Sequence, residues 1–379
     1  MTNVRGRSQP LTFRQEEVGY VMERWRAVES CSLVGVGSVG KSNLLQHLAD
    51  PEIQTYYMKD VIKGKMFRAI IIDPNMLGPL PTGADDEQFR CWAGYELMMH
   101  RLFLALYPFE MLTADEARIF YETYQALQDG SNPIFAYIGL RYFELGLDLL
   151  TKHDVQIVFM FDEFEELMRQ MPVKFFITLR GIRDANKRLL SYLTFSRSTI
   201  PEIVDRLGVA ALDIEPFVEL FNDHVYFVGP YNDTDARNMI NQLMRRADRQ
   251  YDDYTINFLL WASGCFAGIL RAAFRTLDTF GPLDAHTLMT SADQIAQQIA
   301  TRKAVRAECQ TIWRSLSQLE QMILKDLSKP EPRLNAHDVH IKEAFTVLTQ
   351  KKLVGVQSGR IVIEPPVFSC FVKSNPEHD

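Results

Sequence analysis

The stretch CSLVGVGSVGKSNLLQHL, residues 31–48, starts as an apolar β-prone run, passes through a glycine-rich turn and continues with leucines at helical spacing. Its centre, Gly35-Val36-Gly37-Ser38-Val39-Gly40-Lys41-Ser42, fits G-x-x-x-x-G-K-S in full. Glycines let a backbone turn its N–H groups inward around an anion, and the N-terminus of the helix starting near Lys41 adds a favourable dipole. In that frame Lys41 reaches the terminal phosphates of a nucleotide and the Ser42 hydroxyl ligates Mg²⁺. Gly35 to Ser42, with Asn43 after them, are therefore the expected contacts to ATP. A chance glycine-rich turn would supply the glycines without the strand, the whole motif and the helix together.

A second stretch completes the chemistry. Val155 to Phe161 is an apolar strand that ends in Asp162-Glu163. An acid at such a strand tip orders the shell of a phosphate-bound Mg²⁺, and a neighbouring Glu is placed to polarise an attacking water. Asp162 is expected to serve the metal and Glu163 the water. The competing reading is an acidic first helical turn, which the helix dipole also favours. Glu165 and Glu166 read as helix surface.

Between Ser30 and about Pro230, CSLVGVG, FRAIIID, VQIVFMF, LLSYLTF and HVYFVGP read as strands separated by mostly helical segments. Such alternation implies an α/β fold, a parallel sheet sandwiched by helices, with ligands at the carboxyl ends of the strands. Before it, Val18, Val21, Met22 and Trp25 fall at helical spacing in a lead-in helix. After it the strand signals stop. Asp233 to Gln250, Tyr254 to Ser263 and Ala267 to Phe280 read as helices, and WRSLSQLEQMILKDL and HIKEAFTVLTQKKL as two more. KKLVGVQSGRIVIEP then reads as two strands joined at Gln357-Ser358-Gly359, the pattern of a winged helix. The expected domains are a lead-in over 1–26, a P-loop core over 27–230, a helical lid over 231–300 and a winged helix over 301–379.

Composition narrows the class less than the motifs do. At 379 residues, 47% hydrophobic and 23% charged, the chain suits two or three packed domains without extended disorder. A net charge of −7 argues against a uniformly basic nucleic-acid coat, while leaving room for a local patch. The start MTNVRGRSQP has no apolar core of a signal peptide, and no apolar run approaches a membrane span, so a cytoplasmic location and no membrane contact are expected. Five scattered cysteines form no CxxC pair or zinc spacing, so neither a disulfide framework nor a zinc site is indicated.

With both motifs placed, the chain resembles bacterial and archaeal AAA+/STAND ATPases related to the origin-recognition ATPases, over nearly its whole length. LTFRQEEVGYV is similar to that group's F-x-G-R-E-x-E-L box near the adenine, with Phe13 where a Gly is usual. FFITLRGIRDANKRLLSYLTFSRS is similar to its L-R-x-L helix and sensor 1 strand. The resemblance implies that Arg197 reads the γ-phosphate, with Thr194 or Ser196 as neutral alternatives and ordinary surface as the plain reading. LLWASGCFAGILR is similar to the lid motif L-x-x-S-G-G-H-P-G-L-L-R, with Cys265, Phe266 and Ala267 in place of Gly-His-Pro, and Arg271 stands where a sensor 2 arginine would. An exposed arginine in an amphipathic helix would look the same. The tail, which ends in a similar F-S-x-x-F, carries about three more Lys and Arg than Asp and Glu.

These features imply a nucleotide-dependent switch: ATP and ADP would favour different lid and winged-helix arrangements, with slow hydrolysis resetting them. Oligomerisation in the ATP state is implied, with Arg180, Arg183 and Arg188 as candidate trans-acting fingers, and output would pass to a separate protein partner. The alternative is an ATP-regulated protein that grips duplex DNA through the winged helix, and a third reading is a nucleotide-binding scaffold with negligible turnover.

Overall fold

The computed structural model describes residues 9–62, 66–78, 87–129, 135–280, 285–333, 338–357 and 359–374. Residues 1–8 and Ser358, the centre of the expected hairpin turn, lie outside them. The chain divides into two compact units, Met1–Val34 with Ser42–Tyr226, and Gly35–Lys41 with Phe227–Asp379. The glycine-rich loop thus groups with the C-terminal unit.

In the first unit, α1 (Gln15–Arg26) precedes β1 (Cys31–Val34), and α2 (Lys41–Ala49) and α3 (Pro51–Ile62) precede β2 (Phe67–Ile72). Three helices, α4 (Glu87–Leu106), α5 (Ala114–Gln128) and α6 (Phe135–Thr151), separate β2 from β3 (Gln156–Phe161). Then α7 (Phe164–Gln170) and α8 (Val173–Ala185) lead to β4 (Leu190–Ser196), and α9 (Ile200–Arg206) and α10 (Ala211–Val218) to β5 (Val225–Phe227).

The strands form a sheet in the order β2-β3-β4-β1-β5. β2 with β3, β3 with β4, and β4 with β1 pair in parallel. Ile157 to Phe161 are all buried, as expected of a central strand covered on both faces. The chain leaving β1 runs past β4 and β3 to the far edge, whereas the chain leaving β4 crosses β1 to β5. Connections from these neighbours depart in opposite directions, so the carboxyl ends of β1 and β4 flank a topological switch point, the usual ligand crevice of such sheets. Phe164 at the start of α7 stacks on Phe217 of α10 at 6.1 Å, fixing the helix that follows the β3 tip. Val18, Val21, Met22 and Trp25 of α1 are buried, as their spacing predicts. Arg14 is also buried and pairs with Glu17.

In the second unit come α11 (Asp233–Ala247), α12 (Asp253–Ser263), α13 (Ala267–Leu277), α14 (Ala285–Thr290) and α15 (Ala292–Ala300). They are followed by α16 (Lys303–Arg314), α17 (Gln318–Leu327), α18 (Val339–Gln350), β6 (Val354–Gln357), β7 (Arg360–Ile363) and α19 (Pro366–Ser374). β6 and β7 pair as the expected antiparallel hairpin. The stretch WRSLSQLEQMILKDL is not one helix. Ser317 caps α17 through its hydroxyl, which accepts from the Glu320 N–H at 3.2 Å, while the Glu320 carboxylate accepts from the Ser317 N–H at 2.8 Å. This capping box starts a new helix there. α19, which buries Phe368 and Phe371, was not foreseen.

Candidate functional site

The acidic edge belongs to the first unit. Registers Ile72↔Phe161, Phe161↔Thr194 and Val34↔Ser196 bring the ends of β2, β3, β4 and β1 to one edge. Asp162 is tied to β2 by its N–H, which donates to the Ile72 carbonyl at 3.0 Å. Its carboxylate accepts from the Glu163 N–H at 2.9 Å. Glu163 itself sits in the left-handed region at φ 40°, ψ 53°, and its side chain is exposed. That backbone costs a non-glycine residue on the order of 1 kcal/mol, and such outliers cluster at functional sites.

A partner of Glu163 that the sequence does not reveal comes from the short turn Pro74–Met76 after β2. The Asn75 amide donates to the Glu163 carboxylate at 3.2 Å and to the Asp73 carboxylate at 3.0 Å. Asp73 in turn accepts from the Asn75 N–H at 2.9 Å, which holds the short turn after β2. No local pattern announces this, because it depends on β2 and β3 being neighbours.

At the end of β4, Arg197 is exposed. Its N–H donates to the Glu165 carboxylate, so Glu165 is more than helix surface and ties α7 to the β4 tip. Glu166 pairs with Arg169, whose hydrogen bond holds the Glu166 carboxyl below the usual carboxylate range. The neutral alternatives face inward: the buried Thr194 hydroxyl donates to Ser32 Oγ at 2.9 Å, and the Ser196 hydroxyl to the Ser198 carbonyl at 2.7 Å.

Of the candidate fingers, Arg180 donates to Asp184 at 2.7 Å and to the Pro216 carbonyl at 2.6 Å. Arg183 meets Asp184 at 3.4 Å. Burial works to raise the Asp184 carboxyl, and these two guanidiniums outweigh it, holding it below the usual range. Arg188 is exposed.

The glycine-rich loop belongs to the second unit. Its backbone turns through Ser38 at φ 63° and Gly40 at φ 97°, and only a glycine adopts the latter without strain. Tyr231 stands 3.0 Å from where a Cβ on Gly40 would lie, so the loop is also closed to a side chain there. Gly35, Val36, Gly37 and Val39 are buried. The Lys41 ammonium donates to the carbonyl of Gly35 and, at 3.2 Å, to that of Val36. The Gly268 N–H at the start of α13 donates to the Ser38 carbonyl at 2.8 Å, and Arg271, one turn further along α13, is exposed. Ser42 is exposed at the beginning of α2, with Asn43 beside it half-buried.

Among the described residues no group of three or more His, Cys, Asp or Glu is placed to hold a metal ion. Mg²⁺ needs none, since it usually keeps several waters and takes one or two protein oxygens plus phosphates. A hydroxyl at Ser42 and a carboxylate at Asp162 fit that demand. All five cysteines are free, and burial pushes the Cys91 and Cys265 thiols up to about 11. No helix among the described residues is long and apolar enough to cross a membrane.

No protein-family model matches the sequence, and no curated protein matches it. Solved structures do. A Walker-type ATPase of Pyrococcus abyssi is similar at 15% identity with a TM-score of 0.49, over 98% of this chain and 99% of that one. The ORC2 protein of Aeropyrum pernix, in ADPNP–ADP complexes, is similar at 12% identity and a TM-score of 0.46, over 95% and 94%. The ORC1 protein of the same organism, in complex with DNA, is similar at 12% identity and a TM-score of 0.39, over 95% and 92%. The chain is thus similar in structure to Walker-type and origin-recognition ATPases.

Proposed function

We propose that the chain is an ATP-binding and slowly ATP-hydrolysing switch of the AAA+/STAND type. The observation that carries this reading is the full G-x-x-x-x-G-K-S motif directly after β1 in sequence, together with a buried strand β3 that ends in Asp162-Glu163. In this reading Gly35 to Gly40 cradle the phosphates, Lys41 neutralises their charge, and Asn43 follows in the first turn of α2. Ser42 and Asp162 hold Mg²⁺, which when bound would offset phosphate charge. Glu163 accepts a proton from the attacking water, Arg197 reads the γ-phosphate, and Arg271 reports nucleotide state to the helices after it. ATP and ADP would then bias the C-terminal helices and hairpin, a winged helix in this reading, through their different contacts. Assembly of copies in the ATP state and a separate protein partner complete it, with exposed Arg188 the most accessible of the candidate fingers.

The test is Lys41→Ala, expected to weaken ATP binding by about 10- to 100-fold, the scale of losing a charge-assisted contact, with the melting temperature unchanged. Isothermal titration reads it, and unchanged affinity would remove the site. Asn75 offers a subtler check. A hydrogen bond to a carboxylate favours its charged form and so weakens it as a base. Asn75→Ala is expected to raise basal turnover by a few-fold while leaving ATP affinity where it was; a steady-state assay showing slower turnover would instead make Asn75 a group that aligns Glu163.

Duplex DNA as the regulated partner draws less support. Lys351 is buried against Glu320, and outward Lys342 on α18 stands beside outward Glu343. The basic excess of the tail does not gather on that helix.

A further inference from the structure

One face of α16 covers the glycine-rich loop. Glu308, Thr311 and Ser315 follow one another at three- and four-residue steps, so they form a single stripe, beside the buried stripe of Val305, Cys309, Ile312 and Trp313. Each member of the first stripe meets the loop. The Ser38 hydroxyl donates to the Glu308 carboxylate. The Gly37 N–H donates to Ser315 Oγ at 3.3 Å, and Thr311 Cγ2 lies 2.5 Å from where a Cβ on Gly37 would stand. Gly268 leaves room for the same carboxylate, since a Cβ there would lie 2.3 Å from Glu308 Oε2 and 2.6 Å from Ser38 Cβ.

These contacts use the groups a phosphate would use. A loop N–H is taken by a serine hydroxyl, the loop hydroxyl by an anion, and the Lys41 ammonium by two loop carbonyls. A carboxylate and a polyphosphate at one loop repel each other and compete for the same donors. A helix that only needed to pack could have presented an alanine at position 308.

We propose that Glu308 is a tethered anion that competes with nucleotide phosphate for the loop, so that α16 must withdraw before a triphosphate seats. The proposal rests on the ATP-binding reading above and adds its regulation. Apparent affinity then equals the intrinsic affinity scaled by the fraction of molecules in which α16 has withdrawn. Anything that pulls α16 away, such as a partner gripping the C-terminal helices, loads the protein with nucleotide. Conversely, bound nucleotide keeps that helix released.

The experiment measures ATP affinity by titration for the wild type, Glu308→Gln, Glu308→Asp, Ser315→Ala and Lys41→Ala, and for Lys41→Ala combined with Glu308→Gln. Glu308→Gln is expected to bind ATP about tenfold more tightly or better, the effect of losing a charge-assisted contact made only in the closed arrangement. Glu308→Asp, which keeps the charge, should stay near the wild type. Ser315→Ala should tighten binding in the same direction by less, and carries the test if Glu308→Gln does not fold. Lys41→Ala should bind ATP about 10- to 100-fold more weakly than its parent in either background. If Glu308→Gln and Ser315→Ala bind ATP no better than the wild type while Lys41→Ala weakens binding as expected, the loop reading stands and Glu308 is only a packing contact. If Lys41→Ala binds as the wild type does, the ATP reading falls and this proposal with it.

Discussion

Glu163→Gln is expected to hold ATP at wild-type affinity or better and to lower its hydrolysis by roughly 10²- to 10⁴-fold, the usual contribution of a positioned general base. The amide keeps the size and the hydrogen-bonding shape of the carboxylate but cannot take a proton. The lead-up to the chemistry is therefore preserved, and only the step that needs a base is lost. Position argues for this residue over its neighbours. Asp162 is tied into the sheet by the Ile72 carbonyl and turns its carboxylate back to the Glu163 N–H, whereas Glu163 is exposed on a left-handed backbone and contacted by an amide. Single-turnover measurement with the variant separates the two roles, since a loss of binding together with turnover would assign Glu163 to the metal shell. Normal turnover would return the acidic pair to the bland status of a first helical turn.

The features that were legible in the sequence were the local ones. β1, the loop and α2 are a contiguous run whose apolar strand, glycines and leucine spacing each obey a short-range rule, and β3 announces itself because a doubly covered strand must be apolar throughout. The break between α16 and α17 is a local feature that the reading of WRSLSQLEQMILKDL as one helix passes over: Ser317-Gln318-Leu319-Glu320 has capping-box spacing, but helix-forming residues on both sides hide it. What escaped depends on folding. Asn75 acquires meaning only when β2 lies beside β3, and Glu165 only when α7 meets the end of β4. Glu308 and Ser315 carry no local signal, because nothing near them in sequence shows that this stretch packs against a loop some 270 residues earlier. Lys351 belongs to the basic excess of the tail by count, but its burial keeps it off the surface.

Lys351→Ala is expected to destabilise the C-terminal unit by about 3–5 kcal/mol, the cost of removing one member of a buried ion pair and leaving the other charge without its partner. Lys351 Nζ lies 2.6 Å from Glu320 Oε1, with the two side chains 1% and 3% exposed. Glu320 cannot turn away, because its other oxygen is committed to the Ser317 N–H in the box that starts α17. The pair therefore links the first turn of α17 to the end of α18, just ahead of β6. Attraction between the charges is not by itself the reason for the expected loss, since taking both from water is itself costly. The pattern across variants carries the distinction. Lys351→Met keeps the apolar stem and should still lose most of that stability. Adding Glu320→Gln to Lys351→Met removes the stranded charge while keeping an acceptor for the Ser317 N–H, and should recover much of the loss. Chemical denaturation followed by the fluorescence of Trp313, in a background where Trp25, Trp92 and Trp261 are replaced by Phe, reads the unit that contains the pair. Effects that simply add in the double variant would mean the two side chains are not coupled, and that the tail is held by the apolar packing of α17 and α18 alone.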